Sequence, residues 1–180
     1  ATRRAAGRAR SFAFQTWSSF DEAAWTRLLA GADADVVPTK AVFVGADRDA
    51  GAIAAATANA TRAGVADLIE FRTAAVSDLE LPAKRGWVVT NPPYGHRIGQ
   101  APASDSGDLR DLYDRFGKVL ATRAAGWGVE IVSGDPRADD EAPGRRPLVD
   151  RLRLPVDDRL RTSNGGLPVD FVRARVPGPA

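Results

Sequence analysis

Short apolar runs alternate with helical stretches along most of this chain. Four runs rich in Val, Ile, Phe and Trp are typical of short strands, and they lie at 41–47, 68–71, 86–90 and 127–132. Three stretches with a helical apolar stripe, an Ala-rich composition or an acidic first turn predict helices, at 21–29, 49–63 and 109–120. Strands that alternate with helices in this way indicate an α/β sheet.

The remaining segments predict loops and a closing hairpin. Residues 99–107 are rich in Gly, Ser, Pro and Ala and predict a mobile loop, and the charged residues 134–147 predict another. Residues 159–162 and 167–176 flank Asn164-Gly165, a dipeptide typical of tight hairpin turns. The predicted fold is therefore an α/β sheet that ends in an antiparallel hairpin, and 180 residues are about one domain.

Composition narrows the chemistry. The chain has no Cys and a single His, His96, which excludes disulfides, thiolate metal sites and clusters of histidine ligands. The formal net charge is only +2, yet 22 of the 25 basic residues are arginine. Arginine dominance favours phosphate and base contacts, although GC-rich coding also produces it. No apolar run approaches the ~18 residues of a membrane span. The chain contains no Met and is expected to be a piece of something longer.

The sequence Asn91-Pro92-Pro93-Tyr94 directly follows the apolar run 86–90, which we expect to be a buried strand. This tetrad suits methylation of an exocyclic or amide NH2 group, because the Asn91 side-chain oxygen and the following backbone carbonyl can each accept one N–H. Proline holds that carbonyl rigidly, and an aromatic ring can stack on a flipped-out base. The alternative is a plain tight turn, since Asn-Pro commonly begins one.

Two acidic residues follow the run 41–47. In a doubly wound sheet, an acidic residue that ends the second strand can bind both hydroxyls of a ribose, and Asp47 occupies that position. Asp49, in the sequence Gly45-Ala46-Asp47-Arg48-Asp49, is placed either for the same role or to cap the following helix, and we favour the cap.

Several stretches, taken in order, resemble the catalytic domain of the THUMP-associated RNA methyltransferases. The resemblance is to the bacterial guanine-N2 methyltransferases of large-subunit ribosomal RNA in particular, and it runs from about residue 8 to residue 173. The matching stretches are Arg10-Ser11-Phe12-Ala13-Phe14-Gln15-Thr16-Trp17, Gly45-Ala46-Asp47-Arg48-Asp49, Ala58-Asn59-Ala60, Ala63-Gly64-Val65, Thr90-Asn91-Pro92-Pro93-Tyr94-Gly95, Leu112-Tyr113, Phe116-Gly117, Gly126-Trp127 and Asn164-Gly165.

This resemblance implies a Rossmann-like sheet of seven strands that uses S-adenosylmethionine. It implies that Asp47 binds the cofactor ribose, that Asn91 and the Pro92 carbonyl hold the target amine, and that Tyr94 stacks on the base. The cofactor-binding positions that it implies are Asp47, Arg48, Asp49, Ala75 and Asn91. The catalytic positions are Asn91, Pro92, Pro93 and Tyr94, and the substrate-binding positions are Tyr94, His96 and Arg97.

The sequence departs from the family at three places. The family's glycine-rich cofactor loop and first strand are not found, so we expect an N-terminally truncated methyltransferase domain over residues 1–180. A sheet without that central strand should show unpaired backbone and exposed apolar side chains. The acidic residue expected to contact adenine falls at Ala75, for which Asp78 is a substitute in a shifted register. His96 stands where the family usually has Glu.

Three functions are compatible with these residues. The first is S-adenosylmethionine-dependent methylation of an exocyclic amine in RNA, with guanine N2 of ribosomal RNA as the target. The second is an inactive RNA-binding module derived from that family, and the third is methylation of adenine N6 or of a protein glutamine. The resemblance also implies an upstream THUMP-type RNA-binding region, a cytoplasmic location and no membrane partner.

Overall fold

The structure is a computed structural model that describes residues 2–5, 7–8, 10–93, 106–134 and 147–178, with only the backbone of 106–108. These residues form two compact units, Ala1–Ala75 and Val76–Ala180. Within the described ranges, no helix is both long enough and apolar enough to cross a membrane.

The N-terminal unit contains a parallel β-α-β arrangement. Strand β1, Phe43–Asp47, pairs in parallel with β2, Ile69–Thr73, and helix α2, Ala50–Arg62, connects them. The Asp49 side chain begins α2 by accepting hydrogen bonds from the backbone N–H groups of residues 51 and 52, at 2.7 and 3.4 Å. An additional helix, α1, Glu22–Ala34, precedes this arrangement.

The C-terminal unit is built on a four-stranded mixed sheet. Its strands are β3 (Trp87–Thr90), β4 (Gly128–Ser133), β5 (Val156–Asn164) and β6 (Leu167–Arg175), in the spatial order β3-β4-β6-β5. The first pair is parallel and the other two are antiparallel. Helix α3, Ser106–Arg123, precedes β4. The predicted α/β fold with a C-terminal hairpin is confirmed.

One face of this sheet carries the core of the C-terminal unit. The predicted apolar stripe of α3 is buried there through Tyr113, Phe116 and Leu120, which are at most 6% exposed. A 3-10 turn at Leu148–Leu152, which the sequence pattern does not predict, contributes three further buried side chains. The opposite sheet face is open, since Val89 is 72% exposed.

Strand β3 is therefore not the buried strand that its apolar sequence predicts. Trp87 and Val89 point to the open face, and β3 pairs with β4 alone among the described strands. Strand β1 likewise has a single described neighbour, β2. The described residues thus form six strands in two separate sheets. The expected absence of a central strand stays a prediction.

Several predicted boundaries are wrong by a few residues. The Ala-rich helix and the four strands begin or end one or two residues from their predicted positions, and α1 continues to Ala34. The hairpin turn consists of Gly165 and Gly166, both at positive φ, so Asn164 ends β5 instead of opening the turn. Two positive-φ glycines fit the tight turn that joins twisted strands. The predicted loop at 99–107 lies mostly outside the described residues, but 106 and 107 already belong to α3. The predicted loop at 134–147 lies almost entirely outside them.

Candidate functional site

Asp47 is the last residue of β1, and its carboxylate is exposed at the carboxyl edge of the strand. Its Oδ1 accepts a hydrogen bond from the Asp49 backbone N–H at 2.9 Å, which fixes the orientation of the side chain. No described residue donates a hydrogen bond to its Oδ2. A fixed carboxylate with an open oxygen suits the two hydroxyls of a ribose.

The neighbours of Asp47 have different roles. Asp49 uses its Oδ1 to cap α2, so the cap interpretation is confirmed. The Arg48 side chain is exposed, and no described carboxylate forms an ion pair with it. The Ala74 backbone N–H donates to the Asp47 carbonyl at 2.9 Å, which brings the half-buried Ala75 next to the end of β1. The N-terminal unit therefore gathers Asp47, Arg48, Asp49 and Ala75 at one strand edge.

Asp78, the substitute for an acidic residue at Ala75, lies in a 3-10 turn at the beginning of the C-terminal unit. Its exposed carboxylate accepts a long hydrogen bond, 3.4 Å, from the Ser77 hydroxyl. The shifted register that would give Asp78 a cofactor contact stays a prediction.

Asn91 directly follows β3 at the carboxyl edge of the four-stranded sheet. Its side chain is exposed and makes no hydrogen bond to any other residue in the described part of the chain. Pro92 is half-buried and Pro93 is exposed, and residues 91–93 have no regular secondary structure. An amide held at the end of a strand, with both of its polar atoms open, can accept or donate hydrogen bonds to a ligand.

The other three predicted substrate contacts, Tyr94, His96 and Arg97, lie outside the described residues. Their roles stay predictions. Asp47 belongs to the N-terminal unit and Asn91 to the C-terminal unit.

Sequence reasoning missed a buried polar row in the C-terminal sheet. Ser133 ends β4 and pairs with Asp170 of β6, which pairs in turn with Arg161 of β5. The Asp170 side chain is 3% exposed, and its Oδ1 accepts no hydrogen bond, with the Arg161 Nε at 3.6 Å. The Tyr113 hydroxyl reaches the Ser133 Oγ at 3.4 Å. The available signal was an Asp on the core-facing alternation of β6, opposite Arg161 of β5 and one strand pair away from Arg159.

Comparison with known families and sequences gives a consistent result. The family model described as "RMKL-like, methyltransferase domain" matches residues 1–146. A Ribosomal RNA large subunit methyltransferase K/L from Shewanella sp. (strain W3-18-1) is 33% identical over 164 residues. That alignment covers 89% of this chain but only 21% of the relative. The chain thus spans about a fifth of the length of this curated relative.

Solved structures share the same fold. SMU.472, solved in complex with SAH, matches with a TM-score of 0.77 and 25% identity over 99% of this chain and 43% of that one. A structure described as a predicted N6-adenine-specific DNA methylase from Listeria monocytogenes matches with a TM-score of 0.70 and 26% identity. That alignment covers 96% of this chain and 40% of the Listeria monocytogenes chain.

Proposed function

We infer the function of this chain from its family, since it belongs to the RMKL-like methyltransferase domain family. The family expected from the sequence is confirmed at this level. The expected cofactor class, S-adenosylmethionine, is confirmed as well, because the structural relative SMU.472 was solved with SAH, the product that remains after methyl transfer.

We propose that the chain methylates an exocyclic amine of a base in RNA, and that the target is guanine N2 of ribosomal RNA. The observation that carries this proposal is the Asn91-Pro92-Pro93 sequence at the carboxyl end of β3, with the Asn91 amide exposed and open. The target is taken from the Shewanella relative, which is named as a methyltransferase of large-subunit ribosomal RNA. An upstream THUMP-type RNA-binding region and a cytoplasmic location are parts of the proposal.

Asn91 and Pro92 are proposed to orient the target amine. An exocyclic amine is a poor nucleophile because its lone pair is delocalised into the ring. If the Asn91 Oδ1 and the Pro92 carbonyl each accept one N–H, the nitrogen is pulled toward tetrahedral geometry and its lone pair is directed away from the two acceptors. Pro93 keeps this backbone stiff, and Tyr94 stacks on the base. His96 and Arg97 are proposed as further contacts to the RNA.

The residues at the end of β1 are proposed to hold the cofactor. S-adenosylmethionine supplies an electrophilic methyl group bound to a sulfonium. The fixed Asp47 carboxylate accepts hydrogen bonds from the ribose hydroxyls, while Arg48 and Ala75 lie at the same strand edge and Asp49 caps α2. No strong general base is required, because the amine loses its proton to water after the methyl group has moved from sulfur to nitrogen. Positioning therefore accounts for most of the rate.

The proposal is tested by incubating the protein with S-adenosylmethionine and ribosomal RNA and digesting the RNA to nucleosides for mass spectrometry. N2-methylguanosine is the expected product. N6-methyladenosine would instead support the second candidate, adenine-N6 methylation, which the likeness to the Listeria monocytogenes structure favours. Methylation of a glutamine-containing protein would support the protein-directed alternative. RNA binding without methylation of any of these substrates would support the inactive RNA-binding module.

A matched pair of acidic residues tests the cofactor site. We expect Asp47→Asn to weaken S-adenosylmethionine binding about 10- to 100-fold, because a charged acceptor of two hydroxyls is lost. Asp49→Asn removes the same charge two residues away, yet asparagine caps helices as well as aspartate does. It should therefore leave the affinity nearly unchanged. Calorimetric titration of S-adenosylmethionine into the folded protein measures both variants, and equal losses in the two would contradict the role proposed for Asp47.

A further inference from the structure

Five aromatic rings of the N-terminal unit form a small cluster around residues 12–25. Phe14 is its centre, with ring centroids 5.3 to 6.5 Å from those of the other members, which are Phe12, Trp17, Phe20 and Trp25. Trp17 is different from the rest, since 65% of it is exposed and its one ring contact among the described residues is with Phe14. Tryptophan is highly buried on average, so an indole that is exposed to this extent is unusual. Its open ring is available to a partner.

The chain that leads to this cluster is strongly basic. It contains Arg3, Arg4, Arg8 and Arg10 and no acidic residue before Asp21. All four of these arginines are exposed, and no carboxylate in the described ranges forms an ion pair with Arg3, Arg4 or Arg10. Arg3 and Arg10 therefore carry positive charge that no described carboxylate pairs with.

Arg8 is the exception. Its Nε and Nη2 donate to both carboxylate oxygens of Asp33 at 3.0 and 2.8 Å. This hydrogen-bonded pair holds the pKa of Asp33 below its usual value. The bidentate contact leaves Arg8 a poor candidate for contact with an external anion, and it provides an internal reference for the neighbouring arginines.

Arg10 and the aromatic cluster both approach Gly7. A Cβ atom built on Gly7 would lie 3.2 Å from the Phe12 Cζ and 3.6 Å from the Arg10 Cδ, so the Arg10 stem lies along the same turn as the Phe12 ring. The positive φ of Gly7, +75°, allows the backbone to make this turn. Arg10 and Phe12 thus lie on the same side of Gly7, and ring contacts lead from Phe12 through Phe14 to Trp17.

We propose that Trp17 and Arg10 form a contact surface for single-stranded RNA, in which the indole stacks on a base and the guanidinium contacts a phosphate. Proteins bind single strands by stacking bases on exposed aromatic rings and by contacting phosphates with basic side chains, and each phosphate contact releases counterions. Here Trp17 lies at one end of the row of aromatic rings and Arg10 lies near Phe12 at the other end. The choice of RNA as the partner rests on the proposed function, in which RNA is the substrate. Through this surface the protein binds nucleotides other than the one that is methylated.

Binding of a labelled, single-stranded RNA oligonucleotide of mixed sequence to the complete chain, followed by fluorescence anisotropy, tests the stacking contact. We expect Trp17→Ala to weaken binding by about 5- to 150-fold, the range that loss of one stacked base produces. Trp87→Ala is the matched control, since it removes a second tryptophan that is 52% exposed and should leave the affinity within about twofold. Equal effects of the two variants, or unchanged binding by a Trp17→Ala protein with an unchanged Tm, would overturn the proposal.

The salt dependence of the same binding tests the phosphate contact. We expect Arg10→Ala to reduce the slope of log K against log salt by about 0.7, the value for one phosphate of a single strand. Arg8→Ala removes the same charge and should change the slope much less, because its guanidinium is already paired with Asp33. Identical slopes for wild type and Arg10→Ala, or identical losses in the two variants, would refute this contact.

The two proposals can fail separately. A protein that binds RNA through Trp17 but transfers no methyl group would refute the proposed function alone. A protein that methylates RNA with the same KM in Trp17→Ala as in wild type would refute this surface alone. Binding of S-adenosylmethionine should be the same in Trp17→Ala and in wild type.

Discussion

Replacing Asn91 with alanine should lower the rate of methyl transfer by about 100- to 1,000-fold, the usual effect of removing one preorganised hydrogen-bonding group from a reacting centre. The Asn91 side chain is exposed at the end of β3 and makes no hydrogen bond within the described structure, so its truncation removes no support from the fold. The affinity for S-adenosylmethionine should stay nearly constant, because the proposed ribose contact is made by Asp47. The change therefore acts on kcat and not on cofactor binding.

Single-turnover transfer to ribosomal RNA and calorimetric titration of S-adenosylmethionine together measure this effect. Asn91→Asp is the informative control, since aspartate keeps an oxygen that can accept the amine N–H and should retain more of the rate than alanine does. If the Asn91→Ala variant loses as much affinity for S-adenosylmethionine as it loses rate of methyl transfer, Asn91 holds the cofactor and not the target amine. Equal rates for the alanine and aspartate variants would show that a hydrogen-bond acceptor at position 91 does not determine the rate of methyl transfer.

The elements of the fold that depend on local signals could be predicted from the sequence. Asp49 was favoured as the cap of α2 because a short acidic side chain can reach the free backbone N–H groups of a first turn, which is a property of a few neighbouring residues. The stripe of α3 is equally local, since its period alone identifies the buried face. The ends of helices and strands were less accurate, because fraying and turn geometry decide them.

Other features depend on neighbours that are distant in sequence and could not be predicted. The apolar run of β3 indicated a buried strand, yet burial is decided by what packs on each face, and only one face of this sheet is covered. The 3-10 turn at Leu148–Leu152 has no helical or alternating period, so its buried residues gave no signal. Asp170 is buried because its strand register sets it opposite Arg161, a pairing that appears only in the folded sheet.

The candidate site divides in the same way. Asn91 and Asp47 lie at the carboxyl ends of β3 and β1, as strand topology and the two motifs predicted. For Asp49 the sequence favoured the helix cap over cofactor binding, and the hydrogen bonds to residues 51 and 52 confirm the cap. Such a choice needs atomic contacts, because the same residue type at the same position serves both purposes.

Replacing Gly117 with alanine should destabilise the protein, although alanine is the better helix former. Gly117 is buried in α3, and a Cβ atom built on it would lie 2.6 Å from the Leu152 carbonyl oxygen and 2.9 Å from the Leu152 Cα. Because these are backbone atoms, the helix and the 3-10 turn would have to move apart. Overpacking of this kind costs about 1–3 kcal/mol, which exceeds the ~0.5–1 kcal/mol that alanine contributes to a helix interior.

Gly31 of α1 provides the matched control, since it is exposed and no atom lies within 4 Å of its added Cβ. Gly31→Ala should raise the free energy of unfolding by about 0.5–1 kcal/mol, and Gly117→Ala should lower both that free energy and the Tm. Urea unfolding followed by circular dichroism compares the two variants. If both glycines gave more stable proteins, the close approach of α3 to Leu152 would be wrong. If the predicted opposite signs are found, the Phe116-Gly117 pair that contributes to the family resemblance reflects packing of the fold, and the functional signal is concentrated in Asp47 and the Asn91 motif.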